Sequence, residues 1–125
     1  MSGGARDERL LPSERVRKSV DYRLCYREGR RRRGRLLTLH HRPNREGVAR
    51  IGITASRKVG KAVVRQRLKR QIREIYRRWP ERPRLPAVDL VVHLHPAAAR
   101  SEFAELQAAL LAALAAVLNM TPDTP

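Results

Sequence analysis

The clearest hydrophobic pattern in the chain predicts an amphipathic helix over roughly residues 62–79. Its apolar side chains recur every three or four residues, the spacing that places side chains on one face of an α-helix. Pro80 cannot continue a helix and therefore sets its end. The apolar positions are Val64, Leu68, Ile72, Ile75, Tyr76 and Trp79.

Two other segments have helical patterns. Residues 20–28 follow Ser19, a favoured N-cap residue, and place Tyr22 and Tyr26 four residues apart on one face. Residues 101–119 begin with Ser101 as the predicted N-cap. This last helix should face inward through Phe103, Leu106, Leu110, Leu114 and Val117.

Three segments have the pattern of β-strands. Residues 35–41 end before a turn marked by Pro43-Asn44 and Gly47. Residues 48–56 alternate apolar and polar side chains, and residues 87–94 are almost continuously apolar, which predicts burial on both faces. The order helix, strand, strand, helix, strand, helix predicts an α/β two-layer sandwich, with helices packed on one sheet.

The 125-residue length suits one domain. We predict a flexible basic leader at residues 1–18, a single domain at 19–119 and a disordered tail at 120–125. The polar start does not have the pattern of a signal peptide, and the longest apolar run, residues 108–118, is too short to cross a bilayer. The lone Cys25 cannot form an internal disulfide. These features predict a cytoplasmic protein with no membrane partner, and no pattern predicts an oligomeric state.

The charge of the chain indicates its partner class. A formal net charge of +16 favours a polyanionic partner, and nucleic acid is the commonest one. Within the central helix, only Glu74 opposes the arginines and lysines. Like charges four residues apart each cost about 0.2–0.5 kcal/mol in an isolated helix, which a bound polyanion would offset. No helix-turn-helix, zinc-ligand or zipper pattern is present, so the sequence favours RNA over DNA.

The segment from Ser56 to Tyr76 resembles the signature of the bacterial ribonuclease P protein subunit. In that family it usually runs Ser-(Arg/Lys)-Lys-hydrophobic-Gly-Asn-Ala-Val-x-Arg-Asn-Arg-hydrophobic-Lys-Arg-x-x-Arg. Lys61 and Gln66 stand here in place of the two asparagines. Residues 16–29, Asp89 and the Pro-Ala-Ala run at 96–98 are also similar to the family pattern. The matching signature positions are Ser56, Arg57, Lys58, Gly60, Ala62, Val63, Arg65, Arg67, Lys69, Arg70 and Arg73.

The resemblance implies a more specific fold than the pattern alone. It implies a small mixed sheet of about four strands with three helices, which adds a short strand near residues 30–33. It also implies a left-handed β-α-β crossover through the basic helix, contrary to the general preference for right-handed connections.

The resemblance also implies a function. In this family an RNA subunit performs the Mg²⁺-dependent hydrolysis that removes the 5′ leader from precursor tRNA, so the partners would be ribonuclease P RNA and precursor tRNA. No protein-bound cofactor or metal is expected, and no catalytic residue in this chain. The single-stranded leader would lie between the first helix and the sheet, where Tyr22, Tyr26 and His40 are the candidate contacts. The candidate contacts to the catalytic RNA are Arg57, Lys58, Lys61, Arg65, Gln66, Arg67, Lys69, Arg70 and Arg73.

Other hypotheses fit parts of the sequence. A ribosomal or other structural RNA-binding protein would share the small, basic α/β character without any role in tRNA processing, and a DNA-binding module is a weaker alternative. The four histidines, His40, His41, His93 and His95, could suggest a metal or a general base, but no carboxylate or cysteine lies at ligand spacing. Asp89 is predicted to be a strand-opening cap or a salt-bridge partner.

Overall fold

The computed structural model describes residues 10–119, which form four strands and three α-helices. The sheet is mixed and has the order β1-β2-β4-β3. Only β3 and β4 are parallel, and α2 is the crossover between them. The predicted fold class is therefore confirmed. In chain order the elements are α1 (Ser19–Glu28), β1 (Arg30–Arg33), β2 (Leu37–Pro43), β3 (Arg50–Ala55), α2 (Ala62–Arg78), β4 (Val88–Leu94) and α3 (Phe103–Asn119).

The main core lies between one face of the sheet and the helices α2 and α3. Leu39 and Leu90 from the sheet meet Leu68 of α2 and Leu110 of α3, and all four are buried. Helix α1 lies on the opposite face of the sheet. Because Val91 points to that face and is also buried, β4 is covered on both sides, as its apolar sequence predicts.

Two predicted helix starts are wrong by one or two residues. Ser19 is the first residue of α1 and not its N-cap, which is Lys18. Ser101 precedes α3, and its hydroxyl donates to the Ala98 carbonyl oxygen at 2.8 Å. Phe103, predicted to face inward, is 43% exposed because it opens the first turn of α3, before the helix reaches the sheet.

The segment before α1 also differs from the prediction. Residues 10–18 belong to the folded unit, because Val16 is 4% exposed and its N–H donates to the Ile51 carbonyl oxygen at 2.9 Å. Ile51 lies on the edge strand β3, whose backbone groups are open to such a partner. The prediction of a flexible leader therefore does not hold for residues 10–18, which pack against β3. Residues 1–9 and the predicted tail at 120–125 lie outside the described residues.

The strand boundaries shift as well. The strand predicted at residues 35–41 runs from Leu37 to Pro43. The short strand implied only by the resemblance is present as β1. Within residues 10–119, no helix is both long and apolar enough to cross a membrane.

Candidate nucleic-acid interface

Helix α2 has one buried side and one cationic side. Leu68, Ile72, Ile75 and Tyr76 pack into the core, as the spacing predicts. We call the opposite side the basic face. At its centre Gln66, Arg67 and Arg70 are exposed, while Arg65, Lys69 and Arg73 flank it and are half-buried.

Several contacts fix the basic face in place. The Arg65 Nε donates to the Gly60 carbonyl oxygen at 3.1 Å, and an Arg67 guanidinium N–H donates to the Ala99 carbonyl oxygen at 3.3 Å. Glu74, the acidic residue of α2, is held by Arg77 at 2.8 Å and Arg78 at 2.7 Å. The arginines of the last turn thus neutralise Glu74, and the positive charge of the earlier turns stays unopposed within α2.

The N-terminus of α2 adds cationic side chains to the helix dipole. Arg57, Lys58 and Lys61 are exposed around Gly60, whose φ of +155° is rare for other residues. Lys61 is the N-cap but makes no side-chain capping hydrogen bond. The first N–H groups of a helix carry partial positive charge, so this end favours an anion.

A second surface lies on the α1 side of the sheet, and we call it the aromatic face. It consists of Tyr22, Tyr26, His40, Thr54 and His93. The Tyr26 ring meets the His40 ring edge-on, with 4.5 Å between centroids. The Thr54 hydroxyl lies 2.5 Å from the Tyr26 hydroxyl and 2.9 Å from His93 Nδ1, which links the three side chains. This face is therefore organised rather than a set of isolated rings.

The structure brings the three predicted leader contacts onto the same face but exposes them unequally. Tyr26 is 39% exposed, whereas His40 is 8% exposed and lies beneath its ring. The Tyr22 ring lies so close to Gly52 that a β-carbon there would collide with it. Tyr26 thus offers the most open aromatic surface, and His40 mainly supports it.

Several residues at this surface were not predicted from the sequence. Thr54 links Tyr26 to His93, and its place on the polar side of the alternating strand was the available signal. Arg15 and Arg17 line a hollow that Tyr22 and Arg73 also border. Because Arg73 reaches this hollow from α2, it connects the basic face with the aromatic face. The sequence does not predict that Arg15 and Arg17 lie at this surface, because their position depends on the hydrogen bond between residue 16 and β3.

Burial sets the ionisation of the groups on the α1 side of the sheet. It raises the pKa values of Tyr22 and Tyr26, which keeps both hydroxyls protonated near neutral pH. Burial also raises the pKa of Cys25 to about 12, so the thiol stays protonated. Within residues 10–119, no group of three His, Cys, Asp or Glu side chains is arranged to hold a metal ion.

The buried histidines make stability depend on pH. Burial, helped by nearby cationic groups, lowers the pKa values of His40, His41 and His95. His40 Nδ1 and His41 Nε2 are buried without a hydrogen-bond partner among the described residues. The unfolded chain therefore binds these protons more readily than the folded one. We expect the free energy of unfolding to be highest above about pH 6.5, the unfolded pKa, and to fall as pH drops below it.

Urea unfolding at about pH 7.5 and about pH 5.5 measures this effect, because exposed carboxylates stay largely ionised over that interval. The variant His41→Leu should show a smaller pH dependence than the unmodified chain. Equal unfolding free energies at the two pH values would contradict the expectation.

Asp89 anchors the sheet next to the aromatic face. Arg50 donates two hydrogen bonds to its carboxylate, each 2.8 Å long, and Asn44 donates a third of 2.8 Å. Arg50 also lies 3.5 Å from Asp21 of α1. The predicted role of Asp89 as a salt-bridge partner is confirmed, and the same cluster ties α1 to the sheet.

Fold and surface together define a small basic α/β protein with a concentrated cationic face on its crossover helix. A profile of the family "Ribonuclease P" matches residues 10–117. The chain is 42% identical over 90 residues to the ribonuclease P protein component of Aromatoleum aromaticum, covering 71% of this chain and 74% of that protein. It is 40% identical over 106 residues to that of an Azoarcus species, covering 84% and 87%.

Solved structures agree with these sequence comparisons. The ribonuclease P protein of Staphylococcus aureus superposes with a TM-score of 0.75 at 28% identity, covering 82% of this chain and 94% of that one. The Thermotoga maritima protein gives a TM-score of 0.72 at 30% identity, covering 87% and 99%. The chain belongs to the ribonuclease P protein family.

Proposed function

We propose that this chain is the protein subunit of a bacterial ribonuclease P and helps its RNA partner to remove the 5′ leader of precursor tRNA. The observation that carries the proposal is the unopposed positive charge of the basic face, in a chain of this family. The buried free thiol of Cys25 suits action in the reducing cytoplasm.

The basic face would bind the catalytic RNA. Arginine guanidinium groups offer planar pairs of donors that match phosphate oxygens. Neutralising phosphates would lower the repulsion between the catalytic RNA and precursor tRNA, and less Mg²⁺ would then be needed for their assembly. The residues proposed for this role are Arg57, Lys58, Lys61, Arg65, Gln66, Arg67, Lys69, Arg70 and Arg73.

The aromatic face would bind the single-stranded leader. Aromatic rings accept unpaired bases of any sequence by stacking, and Tyr26 is exposed enough to do so. Tyr22 would contact the strand at the edge of the same face, and His40 would hold the Tyr26 ring in place. Arg73, which borders the hollow next to Tyr22, would contact the RNA where the two surfaces meet.

We propose that the RNA, not this chain, holds the catalytic Mg²⁺. Mg²⁺ prefers oxygen ligands such as carboxylates, and the carboxylate on α2 is already held by two arginines. Mg²⁺ bound to RNA phosphates would activate the attacking water, and the protein would only orient its two RNA partners. This division leaves the chain without a catalytic residue.

The direct test is cleavage of precursor tRNA by a bacterial ribonuclease P RNA at low Mg²⁺, with and without this protein. We expect strong stimulation and a correct 5′ end. Tight RNA binding without stimulation would instead favour a ribosomal or other structural RNA-binding role.

The leader assignment is tested at Tyr26. The variant Tyr26→Ala should weaken binding of precursor tRNA to the holoenzyme by about 5- to 150-fold, because one base–aromatic stack contributes about 1–3 kcal/mol. Affinity for mature tRNA, which lacks the leader, should not change. Tyr26→Phe is the matched control, since it keeps the ring and removes only the hydroxyl next to Thr54. If Tyr26→Ala weakened precursor and mature tRNA equally, the aromatic face would not be the leader site.

A further inference from the structure

The edge strand β1 consists of four consecutive arginines, Arg30 to Arg33, and all four are exposed. Charged residues on an edge strand discourage pairing with other chains. Four arginines in a row repel one another, so their concentration suggests a bound anion. The sequence signature of the basic helix does not include this strand.

Strand geometry divides the four arginines into two pairs. Arg31 lies opposite His40 in the neighbouring strand, and Arg33 lies opposite Thr38. Directly paired residues share a face of the sheet, so Arg31 and Arg33 are on the side of the aromatic face. Arg30 and Arg32 are paired with His41 and Leu39, and alternation places them on the other side.

The histidine environments support this division. Arg31 contributes to the lowered pKa of His40, and Arg33 to that of His95. Arg30 and Arg32 instead contribute to the lowered pKa of His41, whose side chain points to the opposite face. The hydroxyl of Thr38 lies 2.7 Å from His95 Nε2, so polar groups continue from the aromatic face towards Arg33.

A tight connection fixes β1 relative to α1. Gly29 separates the two elements, and its N–H donates to the Cys25 carbonyl oxygen at 3.0 Å. A β-carbon at Gly29 would collide with the carbonyl oxygens of Cys25 and His41. Because a single residue connects α1 to β1, the backbone of Arg31 and Arg33 keeps a fixed position relative to Tyr26.

We propose that Arg31 and Arg33 bind phosphates of the single-stranded leader where it passes beyond the aromatic face. This inference rests on the proposed function. The two residues are separated by two strand positions, about 6.6–6.8 Å, which suits neighbouring phosphates of an extended strand. Their guanidinium groups would add affinity without reading sequence, because phosphates are the same at every nucleotide. A leader long enough to reach β1 would therefore bind more tightly than a short one.

The test uses the reconstituted holoenzyme and two double variants that remove the same charge from opposite faces. Arg31→Gln/Arg33→Gln should weaken binding of a long-leader precursor by about 100-fold, since the loss of each charge-assisted hydrogen bond lowers affinity by about tenfold or more. The slope of log affinity against log salt concentration should become shallower by about 1.4, because each contact to a single-strand phosphate contributes about 0.7. Binding of a short-leader precursor should not change. Arg30→Gln/Arg32→Gln, the matched control, should leave both substrates unaffected.

The outcomes separate this inference from the proposed function. If the unmodified protein stimulates cleavage but the two double variants lose equal affinity for the precursor, the assignment of Arg31 and Arg33 is wrong. Equal losses of affinity for long-leader and short-leader precursors would overturn it as well. If the unmodified protein did not stimulate cleavage, the proposed function would fail and this inference with it. Urea unfolding of both double variants identifies any loss that arises from misfolding.

Discussion

Replacing Arg67 and Arg70 together with glutamine is expected to weaken binding of ribonuclease P RNA by about 100-fold. Both side chains are exposed at the centre of the basic face. A hydrogen bond to a charged partner contributes about 1.5–3 kcal/mol, so two lost contacts cost at least about 3 kcal/mol. Glutamine keeps helix propensity close to that of arginine, which leaves α2 itself nearly unchanged.

Filter binding or fluorescence anisotropy over a range of salt concentrations measures this effect. The log–log salt slope should fall by about 1.4–1.8, or about 0.7–0.9 for each phosphate contact. The double variant Arg78→Gln/Arg84→Gln is the matched control. It removes the same charge, but Arg78 and Arg84 are already paired with Glu74 and Glu81, at 2.7 and 2.6 Å. An equal loss in this control would mean that net charge, and not the basic face, determines RNA affinity.

Helix α2 could be predicted from the sequence because its signal is local. Leu68, Ile72 and Ile75 recur with the helical period, and Pro80 marks the end, so no distant residue is needed to place the basic face. The strand β1 has no such local signal in the sequence. Arg30 to Arg33 have no apolar alternation, and they form a strand because β2 supplies hydrogen-bond partners on one side.

The same distinction between local and distant signals explains which contacts around the candidate site could not be predicted from the sequence. Tyr22 and Tyr26 were found because they lie on one short helix. The burial of His40 and the link from Thr54 to His93 depend on the alignment of three strands that are far apart in sequence. The packing of residues 10–18 depends likewise on a contact with the edge of β3. Contacts of this kind depend on how separate strands are aligned, and β3 and β4 are aligned across a whole helix rather than by a short turn.

The structure also gives physical meaning to the two departures from the family signature. Lys61 occupies the N-cap of α2, where asparagine would accept a hydrogen bond from the first turn and lysine cannot. A cation at this end opposes the helix dipole, at a cost of about 0.3–1 kcal/mol. A bound phosphate would offset both the missing capping hydrogen bond and the unfavourable interaction of the lysine with the helix dipole. Gln66 lies exposed on the basic face, and it keeps the amide group of the family's asparagine.

Replacing Asp89 with alanine is expected to lower the free energy of unfolding by about 3 kcal/mol. Removing one partner of a buried ion pair costs about 3–5 kcal/mol when the other charge is left uncompensated, and the Asp21 carboxylate, 3.5 Å from Arg50, keeps the expected loss at the lower end. Asp89 is 1% exposed, and it accepts hydrogen bonds from both Arg50 and Asn44. A loss of this size is a large part of the 5–15 kcal/mol typical of a domain. Urea unfolding followed by circular dichroism measures it.

The matched control is Glu81→Ala, which breaks an exposed ion pair with Arg84 and should cost at most about 1 kcal/mol. Similar losses in the two variants would contradict the role given to Asp89. Because Arg50 also approaches Asp21 of α1, the Asp89 variant should loosen α1 against the sheet even where it remains folded. Precursor affinity should then fall more than affinity for the catalytic RNA, since Tyr22 and Tyr26 lie on α1 while the central arginines of the basic face lie on α2. The buried ion pair would thus position the leader site without touching the leader.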